Sequence, residues 1–165
     1  MSTSMEDVRM ALDPEEPNYS EAAALGREAL PYLGELVVGS DPLLASKAAY
    51  LASMITDGQS VEVLARAATS PEPVVRVATA AGLRNTRSAE ARQILQALLG
   101  DEDGGVRRIA MQSAAHHGGD DLGFQINTIA KQDPDPSIRE LAIELVDRFP
   151  LNREGAPNDN VSGEA

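Results

Sequence analysis

The sequence predicts an all-α fold of stacked helix pairs, an α-solenoid, and three observations support this prediction. Four stretches align with one another, and their first residues, Ala45, Val75, Val106 and Ile138, follow at intervals of 30, 31 and 32 residues. Each stretch comes after a cluster of Pro, Gly, Asp or Ser, and no segment sustains the period-two alternation that marks a strand. A near-constant period of this length is typical of repeat proteins, in which each unit buries its apolar face only against its neighbours.

The repeating unit is predicted to be a helix, a tight turn and a second helix. Proline suits the first turn of a helix, and Asp or Ser can cap the helix that follows. The turn clusters before the second helices occupy residues 39–42, 70–73, 100–105 and 133–136. The first helices are expected at residues 27–38, 61–69, 89–99 and 122–131.

Each second helix carries an apolar stripe. If its first aligned residue is position 0, apolar or small residues recur at positions 0, 3, 4, 7 and 8, which is the spacing of one face of an α-helix. An incomplete unit, with helices at 5–12 and 18–25, precedes four full ones. We therefore expect four to five helix pairs in a repeat domain spanning 1–150. Residues 151–165 lack apolar periodicity and are predicted to form a disordered acidic tail.

Composition narrows the class of protein. The 165 residues include no cysteine, which excludes disulfides and thiolate metal sites. Residues 1–12 have no apolar run of the kind found in an export signal, and no stretch approaches the 18 apolar residues of a membrane span. A cytoplasmic protein without membrane partners is the expectation.

The formal net charge is −12, and it is unevenly distributed. Residues 1–42 hold nine acids and two arginines. This pattern is explained either by solubility or by attraction of a basic partner to the N-terminal end. The most basic stretch, residues 84–108, is interleaved with acids, and only 3% of all residues are aromatic, so nucleic-acid binding is not expected.

The repeats resemble the HEAT repeat family, most closely the short HEAT-like repeats of the phycobilisome-lyase type. The resemblance rests on the Val-Arg or Ile-Arg pairs that open the second helices at 75, 106 and 138, on the Asp-Pro elements of two turns, and on residues 26–33, with their internal proline. It covers about residues 13–149 and implies a right-handed superhelix.

The resemblance also implies a ladder of Arg–Asp contacts between successive repeats. The second residue of the aligned helices supplies the arginines, and the turns supply the aspartates. The first repeat departs from the pattern because it has Ser46 at the arginine position. The predicted ladder residues are Arg76, Arg107, Arg139, Asp41, Asp103 and Asp135.

No residue pattern predicts catalysis, and neither a cofactor nor a metal is expected. His116 and His117 are the only histidines, and adjacent residues on a helix point in different directions, so they do not chelate a metal together. They are better explained as the end of a helix, where a positive charge is favoured. Carboxylate pairs such as Asp101/Asp103 lie in turns, where Asp caps helices.

The resemblance places the second helices on a concave wall, where a partner would bind. Positions 2, 5, 6 and 9 of these helices are then expected to face outward, and in the first three repeats they are largely apolar with basic edges. An equally open alternative is that these side chains pack between repeats. The predicted binding residues are Lys47, Tyr50, Met54, Val77, Arg84, Arg108, Met111 and Gln112.

Two functions follow as expectations. The first is a non-enzymatic adaptor or scaffold that binds a protein or peptide, with a basic partner as one option, on the concave face. The second, implied only by the resemblance, is a lyase-type or chaperone subunit that acts on a pigment or cofactor protein.

Overall fold

The structure is a computed structural model, and it describes residues 2–149. In that part of the chain all regular structure is helical. The predicted tail, 151–165, lies outside the described residues. The α-helices are α1 (Met5–Leu12), α2 (Tyr19–Ala22), α3 (Leu30–Leu36), α4 (Pro42–Met54), α5 (Ser60–Ala68), α6 (Pro73–Gly82), α7 (Ala89–Leu99), α8 (Gly104–His117), α9 (Asp120–Gln132) and α10 (Pro136–Val146).

These bounds confirm the predicted helix pairs. The first helices of the four full repeats are α3, α5, α7 and α9, and the second helices are α4, α6, α8 and α10. The incomplete N-terminal unit consists of α1 and α2. A 3-10 segment, Ala23–Ala29, joins α2 to α3 and bends at Gly26, whose φ of 65° is readily adopted only by glycine.

The turn residues start the second helices by local hydrogen bonds. The carboxylate of Asp41 accepts from the N–H groups of Leu43 and Leu44 at the start of α4. Asp103 and Asp135 cap α8 and α10 in the same way. Such a cap satisfies backbone donors that have no partner within the helix, and it contributes about 1 kcal/mol.

The repeats stack side by side through both layers of helices. The second helices α4, α6 and α8 contact one another more extensively than the first helices do. At the crossing of α4 and α6, a Cβ on Gly82 would lie 2.7 Å from the Cβ of Ser53, so glycine is required for this approach. The buried apolar side chains form two clusters, and the second repeat contributes to both: Val63 and Val75 to the N-terminal one, Leu64 and Leu83 to the C-terminal one.

None of the helices within residues 2–149 is both long and apolar enough to cross a membrane.

Candidate functional site

The second helices expose a surface that points away from the first helices, which we call the second-helix face. Position 2 of each repeat lies on it, and so does position 6 in the last two repeats. Arg84, at position 9 of its repeat, and His116, at position 10, extend it. The most exposed members of this face are Arg84, Gln112, His116, Glu140 and Glu144. Met54, Val77 and Arg108 are partly buried, and Val77 packs against the core.

The N-terminal unit covers the first-repeat end of this face. The ammonium group of Lys47 donates to the backbone oxygens of Leu12 and Pro14, at 3.0 and 2.7 Å. The ring of Tyr50 packs edge-on against that of Tyr19, with ring centroids 4.8 Å apart. Burial, together with the neighbouring Tyr50, raises the pKa of Tyr19. Lys47 and Tyr50 therefore hold the N-terminal unit in place, a contact that the sequence did not predict.

Met111 is a correction to the predicted set, because its side chain is 0% exposed. It occupies position 5 of α8, and the equivalent Ala80 of α6 is also buried. A second helix of the stack contacts the helix of its own pair and the second helices on both sides. Position 5 belongs to this wider buried arc, and Met111 lies in the core.

The exposed centre of the second-helix face is basic. One side-chain nitrogen of Arg84 lies within hydrogen-bond distance of Nε2 of His116. The guanidinium, which can only donate, is the donor in this contact. Arg108 donates to Oγ of Ser137 at 2.8 Å, so its guanidinium is held towards the last repeat. Both arginines are thus oriented by contacts between repeats.

His116 is a residue of this face that the sequence-based prediction missed. Helix α8 extends to His117, so residues 108, 112 and 116 follow one another at intervals of four along a single face. This spacing is visible in the sequence. The neighbouring His117 instead contacts the backbone oxygen of Leu83 through Nε2 at 2.7 Å, and it links two repeats.

Two other arginines of the basic stretch hold the C-terminal end of α8. Arg87 donates to the backbone oxygen of His116, at 2.9 Å. Arg92 donates twice to that of Gly118, at 3.0 and 2.7 Å, and its Nε lies 3.1 Å from a carboxylate oxygen of Asp121. These carbonyls lie at the end of a helix, where backbone oxygens lack intrahelical partners.

A ladder between repeats is present, but its aspartates are not the predicted ones. Nε and Nη2 of Arg76 contact the carboxylate of Asp101 at 2.8 and 3.1 Å. Arg107 contacts Asp133 in the same way, at 2.7 and 2.9 Å. Each pair joins a second helix to the turn of the following repeat, and its parallel hydrogen bonds give the contact a fixed geometry.

Asp41, Asp103 and Asp135 are therefore wrong as ladder partners. Each occupies the N-cap of a second helix, where its carboxylate accepts from backbone N–H groups. The ladder aspartates lie two residues before the caps of α8 and α10, and they in turn accept from the N–H of the cap residue at 2.9 Å.

The Arg107–Asp133 pair of the ladder is shielded from water, and the contact between its two groups shifts the pKa of each. The side chains of Arg107 and Asp133 are 12% and 3% exposed. The hydrogen bond to Asp133 raises the pKa of Arg107. Burial alone would raise the pKa of Asp133, but the hydrogen bonds from Arg107 and from the N–H of Asp135 lower it below its usual value. Both groups are therefore charged at neutral pH.

One rung of the ladder is missing, and both of its members are absent together. Ser46 stands where the other repeats have arginine, and Ser70 aligns with Asp101 and Asp133. The hydroxyl of Ser46 donates to the backbone oxygen of Leu43 instead, at 2.7 Å. A cleft of about 290 Å³ lies between the two turns, and apolar side chains line it together with Ser40, Arg66, Thr69, Ser70 and Glu72. The ladder ion pair of the later repeats is thus absent between the first two repeats, which pack through α4 and α6.

Installing this rung is expected to stabilise the protein. The double substitution Ser46→Arg with Ser70→Asp should raise the free energy of unfolding by about 1 kcal/mol, because a partly exposed ion pair of good geometry contributes about this much. Urea denaturation would measure the change. Ser46→Arg alone is the matched control, and equal stability of the single and double variants would contradict the alignment of Ser70 with the ladder aspartates.

A cleft lies at the edge formed by the loops that join α4 to α5 and α6 to α7, between successive repeats. Its volume is about 680 Å³, and Asp57, Glu62, Glu90 and Arg87 line it. Its carboxylates outnumber its single arginine, so the cleft suits a basic group. No cluster of three or more metal-ligating side chains occurs anywhere in residues 2–149.

Comparison with known proteins agrees with this geometry. A family model described as HEAT repeats matches residues 61–146, just over half of the chain. The match spans the three repeats in which both ladder pairs lie. It does not distinguish the phycobilisome-lyase type, which stays a prediction. No curated protein matches the chain.

Proposed function

We propose, from the premise that this chain belongs to the HEAT repeat family, that its second-helix face binds a polypeptide segment of a partner protein. HEAT repeats are generally non-catalytic modules that mediate interactions between proteins. Stacked helix pairs provide an extended surface for this purpose. In this proposal the protein acts as an adaptor or scaffold and contributes no chemistry of its own.

The packing of the two layers supports the choice of face. The layer of second helices is the more tightly packed one in the first three repeats. In a curved stack, the crowded layer lies on the inside of the curve and the open layer on the outside. The second-helix face is therefore the concave side in this proposal, where a bound segment would contact several repeats at once.

The arrangement of Arg84, Arg108 and Gln112 is the observation that carries the proposal. Arg84 and Gln112 are exposed, and Arg108 is partly so. Contacts with His116 and Ser137 already orient the two guanidiniums. Side chains oriented before binding lose less conformational entropy when the partner arrives. Arginine is also enriched at protein interfaces, where it binds carboxylates through two hydrogen bonds.

The charges along the face define the segment that would fit. The centre is basic through Arg84 and Arg108, whereas α10 presents Glu140 and Glu144. A segment with acidic residues over the centre and basic residues over α10 would match both. The sequence placed a basic partner at the acidic N-terminal end, whereas in this proposal the basic residues of the segment lie over α10.

Selection of binding peptides would test this. A displayed library of random peptides would be panned against the immobilised protein, and the affinity of the enriched peptides would be measured by calorimetry. We expect them to contain acidic residues and to bind Arg84→Glu/Arg108→Glu about 100-fold more weakly, since each buried charge contact at an interface contributes about 1–3 kcal/mol.

The control is Arg66→Glu, which makes the charge reversal of one of these two substitutions at an exposed position on the first helix α5. It should leave the affinity within about threefold, since surface substitutions away from the contact have small effects. Peptides that bind the double variant and the wild type equally well would overturn the proposal.

A further inference from the structure

The last second helix, α10, presents a stacking surface that no other described helix covers. At position 5, Ala80 and Met111 are buried under the following second helix. The equivalent residue of α10, Ile143, is 58% exposed. In the two preceding repeats this position packs in the stack, so α10 presents the same packing surface uncovered by any helix of residues 2–149.

Arg139 makes the same backbone hydrogen bond as the two ladder arginines. In Arg76 and Arg107, Nη1 donates to the backbone oxygen six residues earlier, and this leaves the other edge of the guanidinium to bind a carboxylate. Nη1 of Arg139 donates to the backbone oxygen of Asp133, also six residues earlier. No carboxylate of residues 2–149 lies within ion-pair distance of Arg139.

The surface of α10 is complementary to itself. Arg139, Ile143 and Asp147 are spaced by four residues, so they lie along one stripe, with the two charges about 12 Å apart and the isoleucine between them. Around a two-fold axis through Ile143, an antiparallel second helix places its Asp147 opposite Arg139 and its Arg139 opposite Asp147. The two isoleucines then meet at the centre.

We propose that two copies of this chain associate through α10 in this antiparallel arrangement. The interface is isologous, and it supplies each Arg139 with the carboxylate that the following repeat supplies to Arg76 and Arg107. Glu140, on the flank of the stripe, faces Val146 of the second copy, so no like charges are opposed directly. The stripe adjoins the second-helix face at Glu140 but does not include its basic centre, Arg84 and Arg108, so the dimer does not rest on the proposed peptide-binding function.

Sedimentation velocity of the full chain over a wide range of concentrations would test the proposal. We expect a reversible dimer. Arg139→Asp and Asp147→Arg should each weaken it by about tenfold or more, because the dimer holds two copies of the pair and each substitution opposes like charges in both. The double variant Arg139→Asp/Asp147→Arg should restore the dissociation constant to near the wild-type value, because the charges are only exchanged.

A substitution at the centre provides a second measurement. Ile143→Glu should abolish dimers while the circular dichroism and melting temperature of the monomer stay unchanged, because the side chain is exposed. Leu43→Glu is the matched control, since Leu43 is similarly exposed, at 62%, on a different helix. A monomer at all concentrations, or a dimer unaffected by Ile143→Glu, or a charge-exchanged variant no better than the single variants, would overturn the proposal.

Discussion

Replacing Asp133 by alanine is expected to lower the free energy of unfolding by about 3–5 kcal/mol, because it leaves the charge of Arg107 buried without its partner. The carboxylate accepts from two nitrogens of Arg107 and from the N–H of Asp135, and only 3% of its side chain is exposed. Removal therefore breaks a contact between repeats and the local hydrogen bond that shapes the turn before α10. Urea denaturation at neutral pH would measure the loss.

A double-mutant cycle separates the ion pair from its surroundings. The second repeat already has serine at this position, where the hydroxyl of Ser70 accepts from the N–H of Glu72 at 3.2 Å. Asp133→Ser should therefore keep the turn hydrogen bond while removing the charge. Combined with Arg107→Met, it should be less destabilising than the sum of the two single substitutions by about 1–3 kcal/mol, since no unpaired buried charge remains. Strict additivity would show that the pair does not couple the repeats.

The same pair predicts how stability depends on pH. The pKa of Asp133 is lowered in the folded state, so its stabilising effect is fully present above the unfolded value of about 3.9. It is lost as the pH falls further, through the folded value. The double variant Arg107→Met/Asp133→Ser lacks this carboxylate, so its stability should fall less steeply than that of the wild type below about pH 4.

The helix pairs could be predicted from the sequence because local signals and the repeat period agree. Proline and aspartate mark the starts of α4 and α10, and the apolar stripe recurs in every repeat. The ladder arginines could also be placed, since Arg76 and Arg107 occupy the same aligned position. These features depend on residues near one another in the chain, and therefore a single sequence reveals them.

The ladder partners could not be chosen by the same logic, because the turns before α8 and α10 each offer two aspartates. Asp103 and Asp101 both lie within reach of a neighbouring arginine, but the cap position commits the first to the N–H of Val106. A signal for the correct choice was present in the alignment, where the repeat without the arginine at 46 is followed by one without the aspartate at 70. The absence of both members together identifies the pair.

The surface of the second helices was the least predictable part. An amphipathic pattern divides a helix into a buried and an exposed face, whereas a helix inside a stack has neighbours on three sides. For this reason positions 5 of α6 and α8 are buried although they fall outside the apolar stripe. The contacts of Lys47 with Leu12 and Pro14 also span more than 30 residues and have no local signal.

Met111→Ala is expected to reduce stability by about 2–5 kcal/mol, because the side chain is fully buried and its removal leaves a cavity in the C-terminal core cluster. Met111→Leu, which nearly conserves the volume, should reduce it by less than about 1.5 kcal/mol. The adjacent Gln112 is exposed, and Gln112→Ala should change the free energy of unfolding by no more than about 0.5 kcal/mol. Thermal and urea denaturation would rank the three variants by their loss of stability.

The ranking of these variants by stability distinguishes a core residue from a binding residue. If Met111 lay on the binding surface, Met111→Ala would reduce the affinity for a selected peptide while leaving the melting temperature unchanged, and Gln112→Ala would behave similarly. With Met111 in the core, the two substitutions separate: Met111→Ala lowers the melting temperature, whereas Gln112→Ala alters peptide affinity alone. A stable Met111→Ala variant with weakened peptide binding would return the residue to the second-helix face.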